Sequence, residues 1–404
     1  MDIRPILSTL RRHKTAAALI VLEVALSCAI VSNAVFVIGH RLQRMDAPTG
    51  VAETELLHLR VHDTARHDNT DALTRRDLAL LRALPGVKNA TVLNQVPFGT
   101  GSTDLGVNLA FEQPAPTIQA TAWLAGSQAL ETLGVRVVEG RGFLPEEVQP
   151  ASVLGGAASP GVPAVILDRQ TAQRLFPGRS AVGQHLFAFG SAPIPVVGVV
   201  ERLAQPQPNE PRAEYTLMVP LQLDYNDGNY LLRVDAAQRE HLLAAAVDTL
   251  QRADSRRIVT EQHTLEAMRH EYYRQDRWMA AVLVAVCVAL LVVTAFGIVG
   301  LASFWVQQRT RMIGVRRALG ASRRQILRYF QTENFLLTSI GIVLGMVAAY
   351  GVNHLLMSFY ELPRLPWLCL PVGALTLWVL GQVAVLGPAR RAAALPPVVV
   401  MRGA

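Results

Sequence analysis

The sequence predicts an integral membrane α-helical protein. Four spanning helices stand in a one-plus-three layout around a large extracytoplasmic α+β domain of two lobes on a helical stalk. Three observations carry this. Windows 15–39, 278–307, 332–360 and 365–389 are each apolar over about the 20 residues needed to cross a hydrocarbon core of about 30 Å. Between the first two windows, residues 40–277 alternate strand and helix patterns over enough chain to bury a core of their own. Finally, Arg309–Arg328 carries seven arginines and no acid between two apolar runs, which holds that loop on the cytoplasmic side.

Residues 1–14 place Ile3, Ile6, Leu7 and Leu10 on one helical face, with Arg4, Arg11 and Arg12 elsewhere. That spacing predicts a short amphipathic helix in the membrane interface, the alternative being a tail that snorkels its arginines. The first span follows at 15–39. Its apolar length of about 25 residues exceeds the 7–15 of a signal-peptide core, although Ser32-Asn33-Ala34 resembles a cleavage site. Glu23 interrupts this span and is the intramembrane polar candidate. The milder reading, a carboxyl that hydrogen-bonds a neighbouring helix, is preferred because no basic residue is embedded in the other spans.

In the extracytoplasmic domain, Glu53–Asp63, Arg75–Leu84 and Val87–Gln95 read as strand, helix and strand, a β-α-β unit. Strand patterns recur at Thr117–Trp123, Ala164–Leu167, Ile194–Val200, Tyr215–Val219 and Tyr230–Val234. Helices are expected from Ser127 to about Gly134 and over Ala236–Ala253. Stretches rich in Gly, Pro and Ser at Pro150–Pro163 and Gln205–Pro211 read as surface loops, and an insertion at roughly 95–225 is expected to form a second lobe. Gln262–Arg277 reads as a helical stalk leading into the second span, 278–307. After the cytoplasmic segment 308–331 come the spans 332–360 and 365–389; the last is shortened by a Gly-Pro pair before the tail 390–404. Gly341 and Gly345 in the third span allow close helix approach.

Charge supports the same topology. Residues 1–14, the arginine loop and the tail hold 14 of the 38 Lys+Arg residues against the single acid Asp2. Residues 40–277 hold 23 basic and 27 acidic residues, so the net charge of +7 is a positive-inside signature rather than a nucleic-acid footprint. Cys28, Cys287 and Cys369 all fall in predicted spans, leaving the outer domain without a disulfide framework.

The motifs exclude several chemistries. No G-x-x-x-x-G-K-[ST] loop occurs, so ATP hydrolysis, if it drives the protein, belongs to another subunit together with its ATP and Mg. His270-Glu271 lacks a second histidine because position 274 is Arg. His58 and His62 share a strand face but stand about 13 Å apart, too far for one metal. Gly99–Gly106 has no nucleophile elbow. Neither a catalytic residue, a metal site nor a cofactor bound by this chain is expected.

The arginine loop is more specific. Arg309–Leu319 alternates basic and apolar residues at helical spacing and breaks at Gly320. Ser322 and Gln325 form a capping box that starts a new helix at Arg323. Two amphipathic pieces joined by a tight corner could press a basic surface on a soluble partner, or merely touch anionic lipid.

Here the chain resembles the FtsX-type permeases of ABC transporters, in particular the MacB-like branch. The resemblance rests on Ile313-Gly314-Val315-Arg316-Arg317-Ala318-Leu319-Gly320-Ala321, followed by Arg324-x-Ile-Leu and Glu333. Leu133-Gly134-Val135 through Glu139-Gly140-Arg141-Gly142-Phe143, Leu175-Phe176-Pro177-Gly178 and Val196–Val200 resemble patterns of the MacB-type periplasmic domain. The resemblance implies a bacterial inner-membrane permease with cytoplasmic termini and residues 40–277 in the periplasm. It also implies a soluble ATPase dimer, a second permease, membrane lipids and, in some relatives, an adaptor and outer-membrane duct. Arg311, Met312, Gly314, Arg316, Arg317, Ala318, Leu319, Gly320 and Ala321 would then form the ATPase-coupling element. ATP binding would close the helical bundles and move the periplasmic domain, extruding a substrate by mechanotransmission. Met312 departs from the family, which usually carries Glu there, and favours a heterodimer whose other permease keeps the acid. The runner-up function is a non-transporting regulator of periplasmic cell-wall enzymes. A sensor would need a cytoplasmic signalling domain, for which no room is expected after Pro388.

Overall fold

The computed structural model describes residues 14–64, 69–111, 113–151, 161–208, 215–223, 227–360, 366 and 369–394. Almost all of the interfacial segment expected at 1–14, and the tail beyond Ala394, lie outside the described residues. The chain divides into two compact units, Asp46–Arg274 and the helical remainder.

Within Asp46–Arg274, the first lobe is a split β-α-β fold. Strand β1 (Leu56–Asp63), helix α2 (Thr70–Arg82) and strand β2 (Val87–Leu93) form the first half; helix α1 belongs to the other unit (Lys14–Met45). After a long insertion, strand β9 (Asp227–Val234), helix α5 (Arg239–Ala253) and strand β10 (Arg257–Thr264) complete it. The sheet order is β10-β1-β9-β2, with antiparallel neighbours throughout. The expected β-α-β unit is therefore real in sequence but split in space, because β9 lies between β1 and β2. Leu57, Leu59 and Val61 alternate onto the face that meets Leu78 and Leu81 of α2 and Leu242, Ala246 and Leu250 of α5. Asn69 caps α2 by accepting from the Ala72 amide at 3.2 Å, which starts this helix five residues earlier than its apolar periodicity indicates.

The insertion carries the second lobe, a seven-stranded mixed sheet. Its path runs β3-β4-β8-β6-β7-β5, from β3 (Asp104–Val107), β4 (Ile118–Leu124), β5 (Val137–Gly140), β6 (Val165–Asp168), β7 (Ile194–Val200) and β8 (Tyr215–Val219). The short strand His185–Leu186 pairs with β7. Helix α3 (Ala129–Leu133) ends at Gly134, whose φ of 70° is the left-handed conformation that glycine tolerates. Helix α4 (Arg169–Leu175) is capped by Asp168, which accepts from the Thr171 amide at 2.8 Å.

The segment 262–277 is not one continuous helical stalk. Gln262, His263 and Thr264 belong to β10, whose polar outward residues mask its alternation. Helix α6 (Leu265–Tyr272) starts only at the Thr264 cap and breaks at Tyr273 before α7 (Arg274–Gln308). The continuous helix expected over Gln262–Arg277 is thus one strand end and two helices.

His58 lies on the outer face of β1, nearly fully buried, and burial pushes its imidazole down to about 4 from 6.5. The unfolded chain takes up this proton as pH falls through 6.5, whereas the folded lobe resists it until about 4. Stability is therefore complete above about pH 6.5 and declines toward pH 4, by about 3 kcal/mol for this group. Chemical denaturation at pH 7.5 and pH 4.5 should show that loss in the wild type and much less of it in His58→Gln.

The helical unit contains α1 (Lys14–Met45), α7, α8 (Thr310–Ala318), α9 (Arg323–Tyr360) and α10 (Cys369–Ala394). Four of these, all but α8, are long and apolar enough to cross a membrane. Ile20, Val24 and Cys28 of α1 share a core with Ile298 of α7, Leu337 and Ile342 of α9 and Leu377 of α10. Gly341 and Gly345 are used inside this bundle. A Cβ on Gly341 would stand 2.8 Å from Val24, and one on Gly345 would stand 2.6 Å from the Ala25 carbonyl of α1. Gly345→Leu should therefore separate α1 from α9 and destabilise the bundle by about 1–3 kcal/mol, read as a lower melting temperature in detergent.

Glu23 is half-buried, and its carboxylate lies against Gly297 of α7, where any Cβ would overlap it. One turn on, Ser27 and Thr294 share a 2.7 Å hydrogen bond between the same helices. The fourth span does not stop at Gly387-Pro388. Helix α10 continues to Ala394 because Ala389, Ala392 and Ala393 pack into the core, which offsets the hydrogen bond that Pro388 cannot make.

Candidate functional site

The site is built where α7 ends. Arg309 leaves helical geometry, with φ −104° and ψ 11°, and turns the chain into α8. Its Nη1 donates to both carboxylate oxygens of Glu333, at 2.9 and 2.8 Å, and the guanidinium lies 5.5 Å from the Trp305 ring centre. The two side chains are only 7% and 1% exposed. This pair fastens the start of α8 to α9 through a single guanidinium nitrogen shared by both carboxylate oxygens, while Arg309 Nη2 is buried without a hydrogen bond. Breaking a buried ion pair is costly because it strands the remaining charge.

The far end of α8 is fastened separately. Arg317 Nη1 donates to the Ala393 carbonyl at 3.2 Å, near the C-terminus of α10. Gly320 then takes a φ of 94°, a left-handed turn that lets α9 begin within three residues. The Ser322 amide donates to Gln325 Oε1 at 2.9 Å and the Gln325 amide donates to Ser322 Oγ at 3.3 Å. The capping box is thus reciprocal, as its spacing predicts.

These restraints sort the candidate residues into two sets. Ile313 and Gly314 face inward and are buried, and Arg317 is occupied by α10. Arg311, Met312, Val315, Arg316, Ala318, Leu319 and Gly320 are exposed, and Ala321 is half-buried. Leu319 is 83% exposed at the corner, an apolar knob flanked by cations. The Arg316 guanidinium sits 5.0 Å over the Tyr329 ring, beside a cleft of about 260 Å³ between α8 and α9 whose floor includes Ile313, Ile326 and Phe330. Met312 stands at the same cleft, which gives it an apolar rim.

Sequence reasoning singled out the loop but missed its anchor. Glu333 is the only acid in window 332–360, and that isolation was the available signal for a buried partner. Glu23, the other intramembrane carboxylate, meets glycine rather than a cation and does not join this site. Among the described residues no three His, Cys, Asp or Glu side chains converge on a point that could hold a metal.

Comparison with known proteins gives this geometry a setting. The MacB-like periplasmic core domain family matches residues 17–253, more than half of the chain, and the FtsX-like permease C-terminal family matches residues 284–397. The ABC transporter permease YknZ of Bacillus subtilis is 22% identical over 99% of this chain and 98% of its own length. The macrolide export ATP-binding/permease protein MacB of Pasteurella multocida is 24% identical over 81% of this chain, which spans 48% of that protein. The periplasmic region of MacB from Actinobacillus actinomycetemcomitans, a crystal structure, aligns with 57% of this chain and 97% of its own length at 12% identity and a TM-score of 0.35. With four apolar helices in the one-plus-three order, a MacB-like periplasmic domain after the first and the FtsX-like region at the end, the chain belongs to the MacB and FtsX type of ABC transporter permeases.

Proposed function

We propose that this chain is the permease subunit of an extrusion complex in the bacterial inner membrane, driven by a separate cytoplasmic ATPase that carries the ATP and Mg. The observation that carries the reading is the exposed face of α8. Arg311, Met312, Val315, Arg316 and Leu319 project from a short helix that is pinned at one end to α9 and at the other to α10. A surface held this way transmits a push to two spanning helices, whereas a lipid-touching loop needs no such fastening. On this reading both termini are cytoplasmic, and ATP binding draws two permeases together and moves their periplasmic domains. The absence of a carboxylate at Met312 favours a heterodimer with a second permease that keeps one. An adaptor and an outer-membrane duct would complete the path where such partners exist.

The test uses the exposed residues and spares the structural arginine. Arg316→Glu with Leu319→Asp should weaken association with the ATPase at least about tenfold while leaving the folded yield of the permease unchanged. Arg317→Glu is a poorer probe because it also breaks the contact to α10. Co-purification of the ATPase with the double variant at wild-type yield would remove α8 from the interface.

A further inference from the structure

The first lobe contains a cavity that lies outside the coupling element. One face of its four-stranded sheet packs on α2 and α5; the other presents His58, Arg60, Asn229, Glu261 and His263. In register, His58 stands opposite His263 and Arg60 opposite Glu261. Over these residues the turn 94–101 and helix α6 border an open cleft of about 560 Å³, within the range of small-molecule sites. The facing wall is apolar and aromatic, from Val96, Phe98, Met268 and Tyr272.

Two details argue that the cavity is built rather than incidental. Among the described residues Phe98 is the only non-glycine with positive φ, at 64°. A bulky residue stays there only where its surroundings hold it. Its ring packs 5.7 Å from Tyr272 and 6.0 Å from Tyr273, with the Arg269 guanidinium 5.8 Å above it. The second detail is the state of His58. Asn229 Nδ2 donates to the Asn94 carbonyl at 3.4 Å, which orients its amide so that Oδ1 faces His58 Nε2 at 3.0 Å. An amide oxygen only accepts, so Nε2 carries the proton and Nδ1 is left a bare lone pair. That Nδ1 is buried and has no hydrogen-bond partner. A buried acceptor left unsatisfied is costly, and the missing partner is a donor.

The charges point the same way. Arg60 already faces Asp227 at 3.2 Å and Glu261 at 3.4 Å. Glu261 and Glu271 both line the cavity, against the single guanidinium of Arg60 in its wall, and Glu271 also meets Arg274 at 2.9 Å. We propose that this cavity binds a small amphipathic amine, its ammonium held by Glu261 and Glu271 with a hydrogen bond to His58 Nδ1, and its apolar body against Phe98, Met268 and Tyr272. The site is independent of the coupling element and requires no ATPase.

The test uses the full chain in phosphatidylcholine nanodiscs, with empty nanodiscs as the partition control. Saturation-transfer NMR and equilibrium dialysis would compare tryptamine with tryptophol, which keeps the indole and replaces the ammonium by a hydroxyl. Saturable binding with about a tenfold preference for tryptamine is expected. Glu261→Gln, at a half-exposed position, should reduce tryptamine binding about tenfold and leave tryptophol nearly unchanged. His58→Leu should weaken both ligands; if that variant does not fold, Glu261→Gln still decides. Equal binding of the two probes, an unchanged Glu261→Gln variant, or no saturable binding would each overturn the proposal.

Discussion

Arg309→Ala is expected to cost the helical unit about 3–5 kcal/mol and most of its folded yield. The loss comes less from the attraction removed than from the Glu333 carboxylate left behind, whose side chain is 1% exposed within the helical unit. Trp305 would also lose the cation over its ring. The double variant Arg309→Met/Glu333→Leu should recover much of the stability, because apolar residues of similar volume replace a buried ion pair at little or no cost. Yet it should not recover coupling if the pair sets the angle at which α8 leaves α7. Thermal melts and size-exclusion profiles in detergent read the first effect, and ATPase stimulation by the permease reads the second. A single variant as stable as wild type would mean that the pair is solvated and not an anchor.

Arg257→Leu is the corresponding prediction for the periplasmic domain. Arg257 is almost wholly buried at the start of β10, 2.6 Å from Asp77 of α2 and 3.5 Å from Asp63 of β1. Tyr230 of β9 donates its hydroxyl to Asp77 at 3.2 Å. One guanidinium therefore ties α2, β1 and β10, the elements that the split topology brings from opposite ends of the domain. Removing it leaves two carboxylates in the core, for an expected cost of about 3–5 kcal/mol. Burial already pushes the Asp77 carboxyl up, with Arg257 and Arg76 pulling it back. A carboxyl raised in the folded state contributes stability below its free value, and that contribution is lost as pH rises through the folded value. In Arg257→Leu the rise should be larger, so denaturation at pH 4.5 should find the variant closer to wild type than at pH 7.5. A constant gap across that range would count against buried carboxylates as the cause.

The spans and the cytoplasmic corner were legible because both rest on local signals. Apolar length marks a crossing helix, and Gly320 with Ser322 and Gln325 marks a turn and a cap within six residues. What escaped depends on contacts far apart in sequence. The partner of Arg309 lies 24 residues away on another helix. The neighbour of β1 in the sheet is β9, more than 160 residues on. The end of strand β10, Gln262–Thr264, reads as the start of a helix because the residues that follow it, from Leu265 on, are good helix formers; pairing with β1 overrides that pattern. Pro388 looked like a stop for a related reason. Only the bundle shows that Ala389, Ala392 and Ala393 have a core to enter. Within the candidate site, the pattern of exposed and tethered arginines also required the fold, since nothing in the sequence distinguishes Arg316 from Arg317.

The most direct measurement is an affinity purification of the wild-type chain from membranes of its native host, read by mass spectrometry. The account predicts a small ATPase with a phosphate-binding loop, together with a second permease, and predicts that both are lost in Arg316→Glu/Leu319→Asp. Recovery of a cell-wall hydrolase or a signalling protein, with no ATPase, would contradict it.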